Sequence, residues 1–461
     1  AQTIRWEPFE LPAGASGVTA QLGRMTVPLV RANPAAGSVE LAFVRLQAAK
    51  RGAAAPIVYL PGGPGGDAIS AMRSPRAVNG YAKLAEIGDV ILLDPRGAGR
   101  STPRAVCRPA TPLEPHEKFA DLATTLPKVI AAARACVAEQ SANGVDVRGF
   151  TNRESAADLD DLRKALGVPK LSLFGFSYGT HVAVAAIRYH GANLERVVLA
   201  GTEGPNETRK LPSTLDVQLA KLSLLAGYDM TASLRRVLAK VAKEPPRVKV
   251  TDRARKQEVE VPIGPDALRR ILVMDIGDGN DFPVFPALLQ TLERGDSSIL
   301  AWFVEKRYNQ ISGATDLMVL GMECSSGATA LRQAAIEREA KTSLFANAMN
   351  GFYPDVCSAL PDVDLGDDFR GSLVSNVPVL FISGTLDSNT PPYQAEELRW
   401  GMPRATHLVV ENAGHEDTIP NREVQLAIAD FFAGKDVSSR RIALRAPKFL
   451  GIEEAKQDRK R

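Results

Sequence analysis

Histidine is scarce in this chain: 461 residues hold five, His116, His181, His190, His407 and His415. Any chemistry that needs an imidazole base therefore has few candidates. Cysteine is scarcer still, with four, and neither a thiolate cluster nor a His-Glu-x-x-His run is present, so no zinc site is expected. No metal and no cofactor of any other kind is expected either. Asp275, Asp278 and Asp281 lack the spacing and the terminal glutamate of a calcium-binding EF-hand loop, and read as a polar loop. An excess of one charge is also missing. With 56 basic and 53 acidic residues, the chain shows no electrostatic footprint for nucleic acid. Basic residues do gather near the end, at Arg440-Arg441 and over 456–461, where a solvated or disordered tail is the expected reading. No apolar run is long enough to cross a bilayer, so no helical membrane span is expected.

The most informative stretch is Leu171-Ser172-Leu173-Phe174-Gly175-Phe176-Ser177-Tyr178-Gly179-Thr180. An apolar strand feeds into Gly-x-Ser-x-Gly and then a helix over 178–189, the pattern of a nucleophile elbow. Small residues two positions either side let the chain turn sharply around the serine. The following helix aims its N-terminus at Ser177, where negative charge develops during acyl transfer.

A serine hydroxyl is a weak nucleophile and needs a histidine base oriented by a carboxylate, which follow in the order Ser, acid, His. Residues 377–382 read as a buried strand ending in Gly384-Thr385-Leu386-Asp387, so Asp387 sits on a loop at a strand's carboxyl end. After one more strand over 405–410, His415 occupies the next such loop. His407 lies inside that strand pattern and His181 and His190 lie on the helix after the elbow, which leaves His415 as the candidate base. Upstream, a strand over 56–60 runs into Pro61-Gly62-Gly63-Pro64-Gly65-Gly66. Four glycines in six residues let backbone N–H groups turn toward a ligand, so the Tyr178 N–H together with the Gly62 or Gly63 N–H are the expected oxyanion donors.

Strands over 56–60, 89–93, 170–174 and 195–200 alternate with helical stretches, after an antiparallel hairpin over 25–31 and 38–47. The expected fold class is α/β, with a mostly parallel sheet flanked by helices. Between 203 and 372 the alternation gives way to helix-patterned segments over 213–226, 267–274, 283–294 and 326–348, interrupted by one hairpin over 247–261. A large, mainly helical insertion placed before the acid-bearing strand is expected to cap the site. The chain accordingly divides into a core over 1–202 carrying the nucleophile, a cap over 203–372, a second core segment over 373–445 carrying Asp387 and His415, and a basic tail over 446–461.

The loop 61–66, Asp94-Pro95-Arg96-Gly97-Ala98-Gly99-Arg100-Ser101, the elbow, Gly384-x-x-Asp387-x-x-Thr390-Pro391 and Gly414-His415 resemble, in order and spacing, the proline iminopeptidase and tripeptidyl aminopeptidase family of α/β-hydrolases. The resemblance is nearer to the secreted tripeptidyl aminopeptidase branch. Pro61 stands where the iminopeptidase pattern would have histidine, a departure that speaks against strict N-terminal proline specificity. The resemblance implies the α/β-hydrolase fold and a serine peptidase acting on a free N-terminus. Four cysteines permit three pairings. Cys107 with Cys136 and Cys324 with Cys357 is favoured, because it needs no contact between core and insertion and because such pairs recur in the secreted relatives. Disulfides, together with an alanine at position 1 and no preceding hydrophobic segment, lead to the expectation of an exported, secreted or periplasmic mature chain.

Reading a substrate α-ammonium requires a buried carboxylate near the serine. Glu203, Glu207 and Glu323 are the candidates. The expected substrate is a small peptide losing one to three residues from its free N-terminus, with a carboxylic ester or lactone as the alternative on the same scaffold. The oligomeric state is left open.

Overall fold

A computed structural model describes residues 3–49, 52–311 and 313–459. The expectations that concern residue 1 and the last two residues of the basic tail lie outside these. Among the described residues ten strands form one sheet, in the order Arg5–Pro8, Val18–Pro28, Ser38–Ala48, Val90–Asp94, Ile57–Leu60, Leu171–Phe176, Leu194–Ala200, Val379–Gly384, Ala405–Glu411 and Ile442–Ala443. Pairing is antiparallel as far as Val90–Asp94 and parallel from there on. The central strands read as unbroken apolar runs because both faces are covered. Along them the side chains alternate between two cores. Val58, Leu173, Val197 and Phe381 pack with the helices Asn152–Ala165 and Tyr178–His190. Ile57, Phe174, Val198 and Ile382 pack with Pro75–Ala85 and Arg422–Phe432 on the other side.

The hairpin is longer than its expected bounds, with Val18–Pro28 paired to Ser38–Ala48 over eleven positions. The insertion holds the helices Ser213–Ala226, Met230–Lys243, Pro265–Val273, Phe285–Glu293 and Ser298–Gln310 around a third core that includes Leu219, Val237, Leu268, Leu288 and Phe303. Arg247–Asp252 and Gln257–Pro262 form the hairpin. Two expectations are corrected here. The helical segment expected over 326–348 is shorter, Ala330–Ala340, and follows a separate helix, Leu317–Ser326, because Gly327 takes a φ of 57°, Thr329 caps the next N-terminus by accepting from Arg332 N, and the chain turns after Ala340. The carboxyl-terminal tail is not a solvated or disordered segment as far as it is described. Residues Ile452–Asp458 form a helix with Ala455 fully buried in the cap core, and Arg459 pairs with Asp281 at 3.1 Å while lying over the Trp302 ring.

Residues 106–142 also leave the main sheet for the insertion. Val106–Cys107 pairs with Thr315–Asp316, and Phe119 enters the cap core. The cysteines are joined as Cys107–Cys136 and Cys324–Cys357, although the core and the insertion do touch. No helix among the described residues is long and apolar enough to cross a membrane.

Candidate active site

The chain leaves the strand Leu171–Phe176, turns at Ser177 and enters the helix Tyr178–His190 at once. Ser177 has a φ of 52°, a conformation that a non-glycine residue adopts only where its surroundings enforce it. The enforcement is steric. A Cβ at Gly179 would stand 2.1 Å from Leu60 O, and one at Gly175 would stand 2.7 Å from Gly179 O, so neither position admits a side chain. Ser177 N–H donates to Ala200 O at 3.0 Å, which ties the turn to the neighbouring strand.

Ser177 Oγ lies 3.0 Å from His415 Nε2, and His415 Nδ1 lies 2.9 Å from Asp387 Oδ2. Asp387 is buried and accepts from Asn389 N–H, Thr390 N–H and the Thr390 hydroxyl. Burial alone would push its carboxyl up, but His415 and the Thr390 donors outweigh it and hold the group below the ordinary carboxylate range. For His415 burial acts in the lowering sense, and the Asp387 carboxylate overcomes it to raise the imidazole above its ordinary value. The pair thus favours Nδ1–H donating to Asp387, which leaves Nε2 as the acceptor facing Ser177.

Gly62 touches the serine: a Cβ there would stand 3.0 Å from Ser177 Cβ. Gly63, with φ 127°, turns instead against its own loop, where an added Cβ would meet Gly65 N at 2.7 Å. The glycine loop is fixed from behind by Asp94, which accepts from Ala68 N–H, Ile69 N–H and Arg100 N–H. Arg96, fully buried, bonds Asp158 and the carbonyls of Leu29 and Gly149. The Asp94 to Ser101 segment therefore braces the glycine loop and the first core, away from the serine itself.

The three candidate glutamates are not equivalent. Glu203 is buried and pairs through Oε1 with Lys210 at 2.6 Å, while its Oε2 is buried with no hydrogen-bond partner among the described residues. Its backbone N–H donates to Thr180 Oγ1, whose hydroxyl in turn donates to Ser177 O at 2.6 Å. Its charge contributes to raising His415. Glu323 pairs with Arg209 at 2.6 Å, and the two side chains line a cap cavity of about 390 Å³ with Tyr353, Ile271 and Met274. Burial pushes the Glu323 carboxyl up, against the pull of Arg209. Glu207 is set apart. It folds back on Gly204 N–H at 2.9 Å, and burial pushes it up to about 8. Lys210 and Arg209, which neutralise two of the three, carried no local signal in the sequence.

Two contacts between cap and site were also unmarked. The loop around Asp275, Asp278 and Asp281 does more than expose polar groups. Asp275 and Asp281 are buried on Lys306, Asp275 also pairs with Arg307, and Gly277 O accepts from His415 N–H at 2.8 Å. Gln218, 2 % exposed, donates from one amide nitrogen to Ile276 O at 2.9 Å and Leu386 O at 2.7 Å. His181 is buried, bonded to Gly204 O and Ser326 Oγ and pushed down by burial to about 4, and His407 bonds Glu396 and Ser383. Neither approaches Ser177 by hydrogen bond. Among the described residues no cluster of three metal-ligating side chains occurs.

Residues 55–243 match the family model described as alpha/beta hydrolase fold, and residues 344–440 match the one described as TAP-like protein. The first stretch contains Gly62 and Ser177, the second Asp387 and His415. Fold and matches together show the α/β-hydrolase fold. Its carboxyl-terminal stretch is TAP-like. The chain is similar to the tripeptidyl aminopeptidase of Streptomyces lividans, 31% identical over 206 residues, which span 41% of this chain and 36% of that protein. It is similar as well to serine protease Hip1 of Mycobacterium tuberculosis, at 28% over 44% of this chain and 40% of that one. A proline iminopeptidase of Xylella fastidiosa matches at 24% over 40% of this chain and 47% of its own. The chain thus spans less than half the length of the curated relatives it matches.

Proposed function

We propose that the chain is a serine hydrolase working through an acyl-enzyme. His415 Nε2 takes the Ser177 proton as Oγ attacks a carbonyl carbon, Asp387 stabilises the imidazolium, and the Tyr178 and Gly62 N–H groups receive the oxyanion. His415 then gives the proton to the leaving group, and water repeats the cycle on the acyl-enzyme. The observation that carries this reading is the unbroken relay from Ser177 Oγ through His415 to Asp387 Oδ2.

We further propose an aminopeptidase that releases one to three residues from a free N-terminus, in an oxidising, extracytoplasmic compartment. Peptidase-named relatives and two disulfides support it. Glu203 is the chosen ammonium anchor, since its free buried oxygen lacks a donor that an α-ammonium would supply. A specific observation favours the ester or lactone reading: Lys210 and Arg209 already balance Glu203 and Glu323, so the wall carries little net negative charge. Free and N-acetylated peptide arylamides, assayed beside short aryl esters on wild type and Glu203→Gln, separate the two. If the peptidase reading holds, acetylation and Glu203→Gln each lower kcat/KM for peptides by about 10²-fold or more while esters are spared. Equal cleavage of free and acetylated peptides, unchanged by Glu203→Gln, would establish the esterase.

A further inference from the structure

On the side of the sheet that holds the second core, the helices Pro75–Ala85 and Arg422–Phe432 part over a groove of about 400 Å³. The volume falls within the range of small-molecule sites. Its walls are apolar, from Ala77, Tyr81, Leu84, Ile419 and Leu426, and it reaches down to Phe174 on a central strand of the sheet. Leu426 is 40% exposed on the rim. Phe174 is 3% exposed, and its ring meets Tyr59 edge-on, with Tyr59 in turn against Tyr81. The floor is therefore a packed aromatic surface, and the groove penetrates between the helices instead of denting one of them.

Two features mark it as more than a packing gap. Gly80 lines it from the middle of an eleven-residue helix, where glycine is disfavoured relative to alanine. Gly80 has no left-handed φ to require glycine, and a Cβ there would meet nothing within 4 Å. The missing side chain thus serves neither backbone conformation nor close packing, and its effect is to keep the groove open. The second feature is charge. Arg76, Lys83 and Arg422 stand in the lining with no carboxylate among its residues. None of the three makes an ion pair among the described residues, so all three remain available to a ligand.

We infer that this groove binds a single fatty-acid anion of about dodecanoate length, its alkyl chain laid on Tyr81, Leu84 and Phe174 and its carboxylate held by the Arg76, Lys83 and Arg422 rim. An apolar trough closed by an aromatic floor suits one alkyl chain, and a rim of cations without carboxylates selects a terminal anion. Its lining contains none of Ser177, Asp387 and His415, and it does not depend on the proposed hydrolysis.

Gly80→Leu provides the test, because it fills the groove from a position with open space above it and raises helix propensity. Monomeric dodecanoate is titrated calorimetrically into the whole chain, with dodecanol as the uncharged probe and anionic phospholipid vesicles in a sedimentation arm. The expected result is one dodecanoate per chain, bound at least 10-fold more weakly by Gly80→Leu, whose unfolding midpoint is equal to or above that of wild type. Arg76→Gln combined with Arg422→Gln should weaken dodecanoate about 10-fold and leave dodecanol unchanged. Ester or peptide turnover should equal that of wild type in both variants. Absence of binding, equal affinity in wild type and Gly80→Leu, or equal affinity for dodecanol and dodecanoate would overturn the inference. Sedimentation with vesicles without binding of monomeric dodecanoate would also overturn it, in favour of a membrane surface.

Discussion

Replacing Gln218 by methionine keeps the side chain's length and removes both of its hydrogen bonds. The amide of Gln218 joins Leu386, the residue before Asp387, to Ile276, the residue before Gly277. Gly277 O then holds His415 N–H. One buried side chain thus fixes the spacing of the loops that carry the acid and the base. A buried carbonyl left without its donor costs roughly 1 to 3 kcal/mol. With two carbonyls affected, a destabilisation of about 2 to 6 kcal/mol is expected. The effect on turnover is argued separately. A misplacement of about 1 Å at reacting groups can lower a rate about 10²-fold, so kcat on an aryl ester should fall by roughly 10 to 10² with KM nearly constant. A further readout distinguishes misplacement from simple loss of stability. Asp387 raises His415 above its ordinary value, and the base works only when neutral, so wild-type kcat/KM should fall as pH drops through that raised value. Loosening the Asp387–His415 contact lowers the imidazole, so the acidic limb of Gln218→Met should shift toward lower pH. A fallen unfolding midpoint with kcat and the acidic limb unchanged would refute the reasoning.

Ser177→Ala should abolish turnover down to the residual about 10³- to 10⁴-fold acceleration that such sites keep over water, and a serine-directed phosphonate should label the wild type at Ser177 alone, as read by peptide mass mapping. The bridges Cys107–Cys136 and Cys324–Cys357 span 29 and 33 residues, for which the chain-entropy relation gives about 3 to 4 kcal/mol each. Non-reduced protein should therefore show no alkylatable thiol and should lose thermal midpoint on reduction, while four titratable thiols in unreduced protein would contradict the pairing. Glu207 titrates near 8 when folded, against an ordinary 4.5, so the folded chain holds the extra proton and stability falls as pH rises between those values. At pH 7 the loss is about 3 kcal/mol. Glu207→Gln should flatten the midpoint between pH 5 and 8, and a variant as pH-dependent as wild type would disprove that origin.

The positions of Ser177, Asp387 and His415 were legible because each is announced by a short local pattern at the end of an apolar strand. Strands over 171–176 and 379–384 are covered on both faces, so their runs of apolar residues stand out without reference to the rest of the chain. What was not legible depends on distant partners. A glutamine in the helix Ser213–Ala226 looks like any surface residue, and only the approach of residues 276 and 386 gives it a role. The tail's basic composition suggested solvation, yet Ala455 and Arg459 find their contacts near Trp302, some 150 residues earlier. The helix Leu317–Ser326 was not legible at all, and the helical pattern from 326 onward ran across Gly327, because one glycine within a helical pattern signals a break only weakly. The cations beside Glu203 and Glu323 escaped notice for a different reason: Arg209 and Lys210 are adjacent in sequence but serve separate carboxylates.

These contacts change what the insertion is. A cover could be exchanged for another without disturbing the chemistry beneath it, but here the base is held by a cap carbonyl and the acid loop by a cap glutamine. Residues 106–142 enter the cap from the other side, bridged to it by the Val106–Cys107 pairing with Thr315–Asp316. The helix Leu317–Ser326 that follows carries Glu323, and Cys324 fastens that helix to Cys357. Glu323 thus stands on a helix whose Leu317, Met318 and Met322 pack into the first core, whereas Leu219 and Ile276, beside Gln218 and Gly277, pack into the core of the insertion. A change of substrate by exchange of Glu323 or Arg209 leaves the loop contacts in place, whereas replacement of the whole insertion removes Gln218 and Gly277 together with the pocket. For this chain, altered specificity by point substitution should leave kcat nearly unchanged, whereas cap transplantation should lower it.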